Sequence, residues 1–298
     1  MQSFEAELLV KADNNVGESA IWDAATQCLY WVDIPKGLIQ RLGPDGIVQR
    51  WTAPMMIGSI VLAADGGLLA ATKDGFASVS LDGDAAILTP VASVLANDPG
   101  KRFNDGACDR LGRFWSGTMR LQQDPAIRDG VLYCLGNDGV AAPHLDGFLT
   151  QNGLAWSPNG QVMYVSDSHP AIRTIWAFDF DTDAGTLSNR RVFCDDLPGR
   201  PDGAAMDVDG CYWIAATDAG KILRLTPEGR IDAEVVVPAP NPTKPCFGGA
   251  DMRTMFITSL RPGGREDAIG GDVYVVALPF EGMPETRASL SSPSHHPR

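Results

Sequence analysis

The stretch RPDGAAMDVDGCYWIAAT (Arg200–Thr217) sets an Asp just ahead of a run of small and apolar residues. Fifty positions earlier, TQNGLAWSPNGQVMYVSD (Thr150–Asp167) lines up with it without a gap, bringing Asn152 onto Asp202, Gly153 onto Gly203 and Gly160 onto Gly210. The Asp therefore belongs to a repeated pattern, and a repeat of this length decides the fold.

Followed outward, the pattern recurs along the whole chain. A small-residue run ending in a turn comes first (SAIWDAATQ, SIVLAADGG, DGACDRLGR, GLAWSPNGQ, GAAMDVDGC, GGADMRT), and an apolar run follows (LYWVDI, LLAATK, FWSGTM, VMYVSD, YWIAAT, MFITSL). A third, alternating run closes each unit, beginning at Gly37, Gly75, Gly130, Arg173, Gly220 and Gly271, at intervals of 38 to 55 residues. Short alternating runs separated by D-G, N-G and P-D-G turns are hairpin signals. Variable segments such as GIVQRWTA, AAILTPVA, RRVFCDDL and IDAEVVVP supply a fourth strand. Six four-stranded antiparallel units predict an all-β, six-bladed β-propeller around a central channel. The predicted domain is 1–286, and the polar, Ser/Pro-rich residues 287–298 are expected to form a disordered tail.

Composition narrows the function. The 298 residues carry 24 Lys and Arg against 37 Asp and Glu, a formal charge of −13. That charge opposes nucleic acid and anionic membrane as partners, since both demand a cationic face. No apolar run approaches the roughly 18 residues of a membrane span. The opening MQSFEAELLV has no basic segment ahead of an apolar one, so the expected location is cytoplasmic. Cys28, Cys108, Cys134, Cys194, Cys211 and Cys246 are scattered without a CxxC, and are expected to be small buried hydrophobes. Six of the tryptophans (22, 31, 115, 156, 176, 213) fall at strand positions and are expected in the core.

Aligning the six units on the first strand places Glu18, Gly58, Asn104, Asn152, Asp202 and Cys246 on one level. In a propeller, equivalent positions converge on the axis. Two carboxylates and two amide oxygens would give a divalent cation charge balance and hard ligands, the set favoured by Ca²⁺, Mg²⁺ or Mn²⁺ and compatible with Zn²⁺ or Fe²⁺. Other catalytic arrangements lack support: there is no HExxH, no GxSxG elbow and no GxxxxGK[ST] phosphate loop.

Across VGESAIWD, RFNDGACDRLGRFWSGTM, TQNGLAWSPNG, LPGRPDGAAMDVDG and TKPCFGGADMRTMFIT, nearly the whole chain resembles the SMP-30/gluconolactonase-like propellers, which include sugar-acid lactonases. The resemblance implies that Glu18, Asn152 and Asp202 are metal ligands. It implies that Asn104 contacts substrate at the edge of the site, or metal as in related propellers, and that Arg102 binds substrate. Two departures stand out: VGES replaces the common L-G-E-G-P, and Arg120 follows GTM where many relatives carry an acidic residue. Arg120 thereby becomes a candidate contact for an anionic lactone. His169, in the loop DSHPAIR, is a candidate substrate contact, and Lys244 and Cys246 lie near the projected funnel.

The expected activity is metal-dependent hydrolysis of a sugar lactone to the open-chain acid, with Asp202 as general base. Two alternatives use the same cluster: hydrolysis of an organophosphate or aryl ester, and a non-catalytic propeller that binds a small ligand or calcium.

Overall fold

The computed structural model describes residues 1–265 and 268–290. Among them the only helical element is the short 3₁₀ turn Pro262–Gly264, and no helix is long and apolar enough to cross a membrane. All else is strand and turn. The turns are those the sequence announces: the aligned Gly160 and Gly210 take φ of +74° and +82°, a conformation glycine adopts without a Cβ clash.

Six first strands, Gly17–Asp23, Ile57–Leu62, Lys101–Cys108, Gln151–Trp156, Arg200–Met206 and Pro242–Gly248, pack each against the next, and the sixth packs against the first. The ring is closed by contacts such as the Thr243 hydroxyl donating to the carbonyl of Gly17. Each first strand carries a register irregularity near its middle. Bulges bend a strand and re-aim its side chains, which suits a strand end that must point into a channel.

The hydrogen bonding corrects the expectation of six separate blades. Four sheets of four or five strands stand apart as blades, and one sheet has eight strands. The eight-stranded sheet holds two repeat units whose outermost strands, Val48–Thr52 and Ala85–Ser93, meet in a single parallel pair, Ala85 with Thr52. Its two edge strands are first strands of the ring and lie against each other, Ser19 Oγ accepting from the amide of Ile60 at 2.8 Å, so the sheet nearly closes on itself. Outer-edge pairing is a backbone matter and leaves no side-chain pattern to read.

The N-terminus holds a second departure. Glu7–Val10 pairs antiparallel with Val273–Ala277 and so supplies the outer strand of the sixth unit, while Gln2–Glu5 adds a parallel fifth strand to Ile231–Val236. The C-terminal residues expected to be disordered from 287 are in place through Leu290. Arg287 pairs with Asp23, the amide of Ala288 donates to Leu62 at 2.7 Å, and the amide of Ser289 donates to Gly112. Residues 291–298 lie outside the described residues.

Apolar faces between neighbouring sheets form the core. Trp31, Trp115 and Trp213 are fully buried there, and all six cysteines are free and buried. Two tryptophans share a polar anchor. Asp109 accepts from Trp115 Nε1 at 2.8 Å and Asp207 from Trp213 Nε1 at 2.9 Å, each carboxylate also taking an Arg, Arg113 or Arg224. The spacing is the same in DRLGRFW and DVDGCYW, so the turn and the core residue behind it are fixed by one side chain.

Candidate functional site

At one end of the channel a cavity of about 110 Å³ is lined by Glu18, Asn104, Asn152 and Asp202, together with Arg102 and Arg200. That volume accommodates a few waters at ~30 Å³ each. Its floor is buried, with Glu18, Asn104 and Asp202 each 7% exposed and Asn152 3%. The residue two positions earlier in each of these strands forms the half-exposed rim: Val16, Arg102, Thr150 and Arg200. Alternate residues of a strand share a side, so four of the six units contribute one floor and one rim residue each.

The two carboxylates are uncompensated. Neither Glu18 nor Asp202 has an ion-pair partner among the described residues; Glu18 Oε2 accepts only its neighbouring Ser19 amide at 2.9 Å, and Asp202 Oδ2 accepts the Thr217 hydroxyl at 3.3 Å. Their other oxygens accept no hydrogen bond among the described residues. Burial, and after it the charges of Asp202 and Asp105, push the Glu18 carboxyl well above its ordinary range. Burial likewise lifts Asp202 to about 7, with Arg200 pulling the other way. The nearby ammonium of Lys244 is spent on Asp105, at 2.9 Å and out of solvent. Two buried like charges facing one cavity fit a divalent cation, which would relieve both the desolvation and the repulsion. Among the described residues no three His, Cys, Asp or Glu side chains gather, so the fit depends on an amide oxygen beside the two carboxylates.

Asn152 offers that oxygen. Its Nδ2 donates to Ser168 Oγ at 2.7 Å, which fixes the amide, and its Oδ1 accepts from Asn104 Nδ2 at 3.0 Å with one lone pair left over. Asn104 is committed at both ends of its amide. Its Nδ2 also donates to the carbonyl of Gln151 at 2.8 Å and its Oδ1 accepts from Arg102 Nη1 at 2.7 Å. Turning the amide over would set its oxygen against two other oxygens. Asn104 therefore orients Asn152 and Arg102; its own oxygen keeps a lone pair but already faces the positive Arg102 guanidinium, which makes it the weaker of the two amide donors for a cation.

Arg102 lines the cavity as expected. Loss of water pulls its guanidinium down to about 10, against Glu18 and Asp202, so it keeps its charge at neutral pH. Arg120 does not line the cavity. Alternation puts its neighbour Met119 there instead, and Arg120 turns outward to grip Asp129 through Nε at 3.0 Å and through Nη2. His169 also stays outside, its Nδ1 accepting the Ala171 amide of its own turn at 3.1 Å. Cys246 is off the ring. The register breaks between Pro201 and Ala204 in the fifth unit and between Pro242 and Pro245 in the sixth, which sets Thr243 level with Asp202. Cys246 is fully buried, paired with Phe256, and Lys244 belongs to the pair beneath the floor.

The residues missed in the sequence are Arg200 and Ser168. Arg200 had a signal, its place two residues before Asp202. Ser168 sits in a loop, and nothing in its surroundings marks it.

Comparison with known proteins places these residues in context. The chain is 36% identical over 254 residues to a 6-deoxy-6-sulfogluconolactonase from Pseudomonas putida, covering 85% of this chain and 86% of that one. It is 34% identical to regucalcin from Danio rerio over 294 residues, covering 95% and 98%. A solved structure of a calcium-binding protein, regucalcin, from Agrobacterium tumefaciens superposes with a TM-score of 0.89 at 24% identity, over 97% of this chain and all of that one, and shares its fold. The profile of the SMP-30/Gluconolactonase/LRE-like region matches residues 16–261, a span running from the rim residue Val16 past the last strand of the ring. The chain belongs to the SMP-30/gluconolactonase/LRE-like family.

Proposed function

We propose that the protein hydrolyses a sugar-acid lactone to its open-chain acid with the help of a divalent cation held by Glu18, Asn152 and Asp202, residues 1–286 acting as one domain. The observation that carries this reading is the pair of buried, uncompensated carboxylates on one cavity floor with a fixed amide oxygen beside them. Relatives named for lactone hydrolysis and for calcium binding support it. An all-oxygen donor set favours Ca²⁺, Mg²⁺ or Mn²⁺ over the softer Zn²⁺ and Fe²⁺. When bound, the cation supplies Lewis acidity at the lactone carbonyl and stabilises the oxyanion that forms there.

The chain's own residues supply the rest. Asp202 Oδ1, which accepts no hydrogen bond among the described residues, takes a proton from the attacking water, while the Thr217 hydroxyl on Oδ2 holds the carboxylate in place. The water oxygen bonds to the carbonyl carbon, the ring C–O bond breaks, and the proton passes to the departing alkoxide. Arg102, steadied by Asn104, has unused N–H groups that hold ring hydroxyls in an attack pose.

The test is proton release from a panel of aldono- and aldarolactones, first with chelated protein and then after restoring each of the five cations. Cation-restored hydrolysis of a lactone is the expected result. Silence across the panel, with a cation demonstrably bound, would overturn the reading.

A further inference from the structure

Arg200 is the second guanidinium on the cavity, and its setting differs from that of Arg102. Asp218 holds it from one edge, Nε to Oδ2 at 2.6 Å and Nη2 to Oδ1 at 3.0 Å, while its side chain remains 30% exposed at the rim. A guanidinium carries five N–H bonds in one plane, and this fork uses two. The two hydrogens of Nη1 and the second of Nη2 have no partner among the described residues, and the grip of Asp218 fixes the plane from which they project. Arg200 is thus a rigid, half-satisfied donor fork at the edge of the cavity that holds Glu18 and Asp202.

The charges around the cavity do not close without a further anion. A divalent cation, if held there, would balance Glu18 and Asp202, and Asp218 balances Arg200. Arg102 is left over, with hydrogen bonds only to the neutral oxygens Phe103 O and Asn104 Oδ1. A neutral lactone would leave the cavity with that net positive charge, whereas an oxyanion held at the free N–H groups of Arg200, on the same cavity, would supply the counterpart. Planar guanidinium groups bind carboxylate, sulfonate and phosphate oxygens through parallel charge-assisted hydrogen bonds.

We propose that Arg200 is a specificity-determining residue which reads an oxyanion on the substrate, so that the preferred lactones are acidic ones. Arg120, the basic residue first singled out in the sequence, is gripped by Asp129 in the same way but stands outside the cavity, where Met119 takes the inner position, so it is not that reader. This inference rests on the lactonase reading.

The test compares kcat/KM for a neutral aldonolactone with that for lactones of the same ring bearing a carboxylate, a sulfonate or a phosphate at the far end of the chain. The wild type is expected to favour one of the acidic lactones at least tenfold, and the favoured arm identifies the oxyanion. Arg200→Ala should reduce that acidic-to-neutral ratio about 10- to 100-fold, mainly through KM, and Arg200→Lys should recover part of it. Arg120→Ala should move the ratio less than twofold. A ratio in both Arg200 variants within twofold of the wild type, or a wild type that favours the neutral lactone, overturns the proposal and leaves the lactonase reading standing. Failure of every lactone, neutral and acidic, removes the lactonase reading itself. Melting curves of each variant separate loss of recognition from loss of fold.

Discussion

Asn104 donates from Nδ2 to Oδ1 of Asn152 across 3.0 Å, joining the first strands of two neighbouring sheets at the floor of the cavity. One residue thereby sets the direction in which the other's oxygen faces. Asn152→Ala deletes a proposed ligand and should raise the cation dissociation constant about tenfold or more. Asn104→Ala leaves the three proposed ligands in place but frees the Asn152 amide, and should raise it several-fold. Residues in contact are non-additive, so the double variant should fall short of the sum by about 0.5–1 kcal/mol, nearly the whole effect of Asn104→Ala. Isothermal titration with Ca²⁺ or Mn²⁺ reads all three, and strict additivity would show that the hydrogen bond does not position Asn152.

Asp202→Asn keeps the shape of the side chain and an oxygen for the cation, but removes the proton acceptor. Turnover should fall about 10²- to 10⁴-fold, the range of a lost general base, with the melting temperature little changed. Full activity in this variant would eliminate Asp202 as the base and leave a cation-activated water as the nucleophile.

The pH dependence of stability has a definite sign. In cation-free protein burial holds Asp202 at about 7, above its ordinary 3.8, and Glu18 is shifted in the same direction. The folded state then binds these protons more tightly than the unfolded chain does, so their contribution is complete below about pH 4 and is lost as pH rises towards about 7. A bound cation replaces the protons. The rise in melting temperature between chelated and cation-loaded protein should therefore be small at pH 5 and grow through pH 7. An equal rise at every pH would mean that these carboxylates are not the ligands.

Arg287 ties the C-terminal segment to the first unit, through Asp23 and through the carbonyl of Ala63 at 3.2 Å. Arg287→Ala removes a charge-assisted hydrogen bond from a carboxylate that is 8% exposed, a loss of about 1–2 kcal/mol. At about 2–4 °C per kcal/mol for a domain somewhat smaller than this one, the melting temperature should drop by several degrees. A melting temperature equal to that of the wild type would show that the segment contributes no stability through this residue.

Much of the site was legible because a repeat transfers register. Glu18, Asn104, Asn152 and Asp202 each precede the same small-residue run, and the structure brings all four to one cavity. The transfer failed in the sixth unit, where TKPCFGG is displaced relative to the bulge and the level falls on Thr243. Arg120 misled because a strand end offers either of two sides, and Met119 took the inner one. Arg200 could have been found from Asp202 by counting back two residues. The N-terminal strands could not be read locally, since their partners, Ile231–Val236 and Val273–Ala277, stand at the far end of the chain. Nor could the joining of two units through Thr52 and Ala85, a backbone contact between outer edges.

The closed ring also imposes an order on biosynthesis. Glu18 leaves the ribosome more than two hundred residues ahead of the strand that seats against its own, Pro242–Gly248, and the partner of Glu7–Val10 emerges later still. The cavity floor has no complete wall until that late strand arrives. Asp202 itself emerges only some forty residues before that strand, so Glu18 stays without its carboxylate partner through most of the interval, and the cluster that would capture a cation comes into being only once Pro242–Gly248 docks.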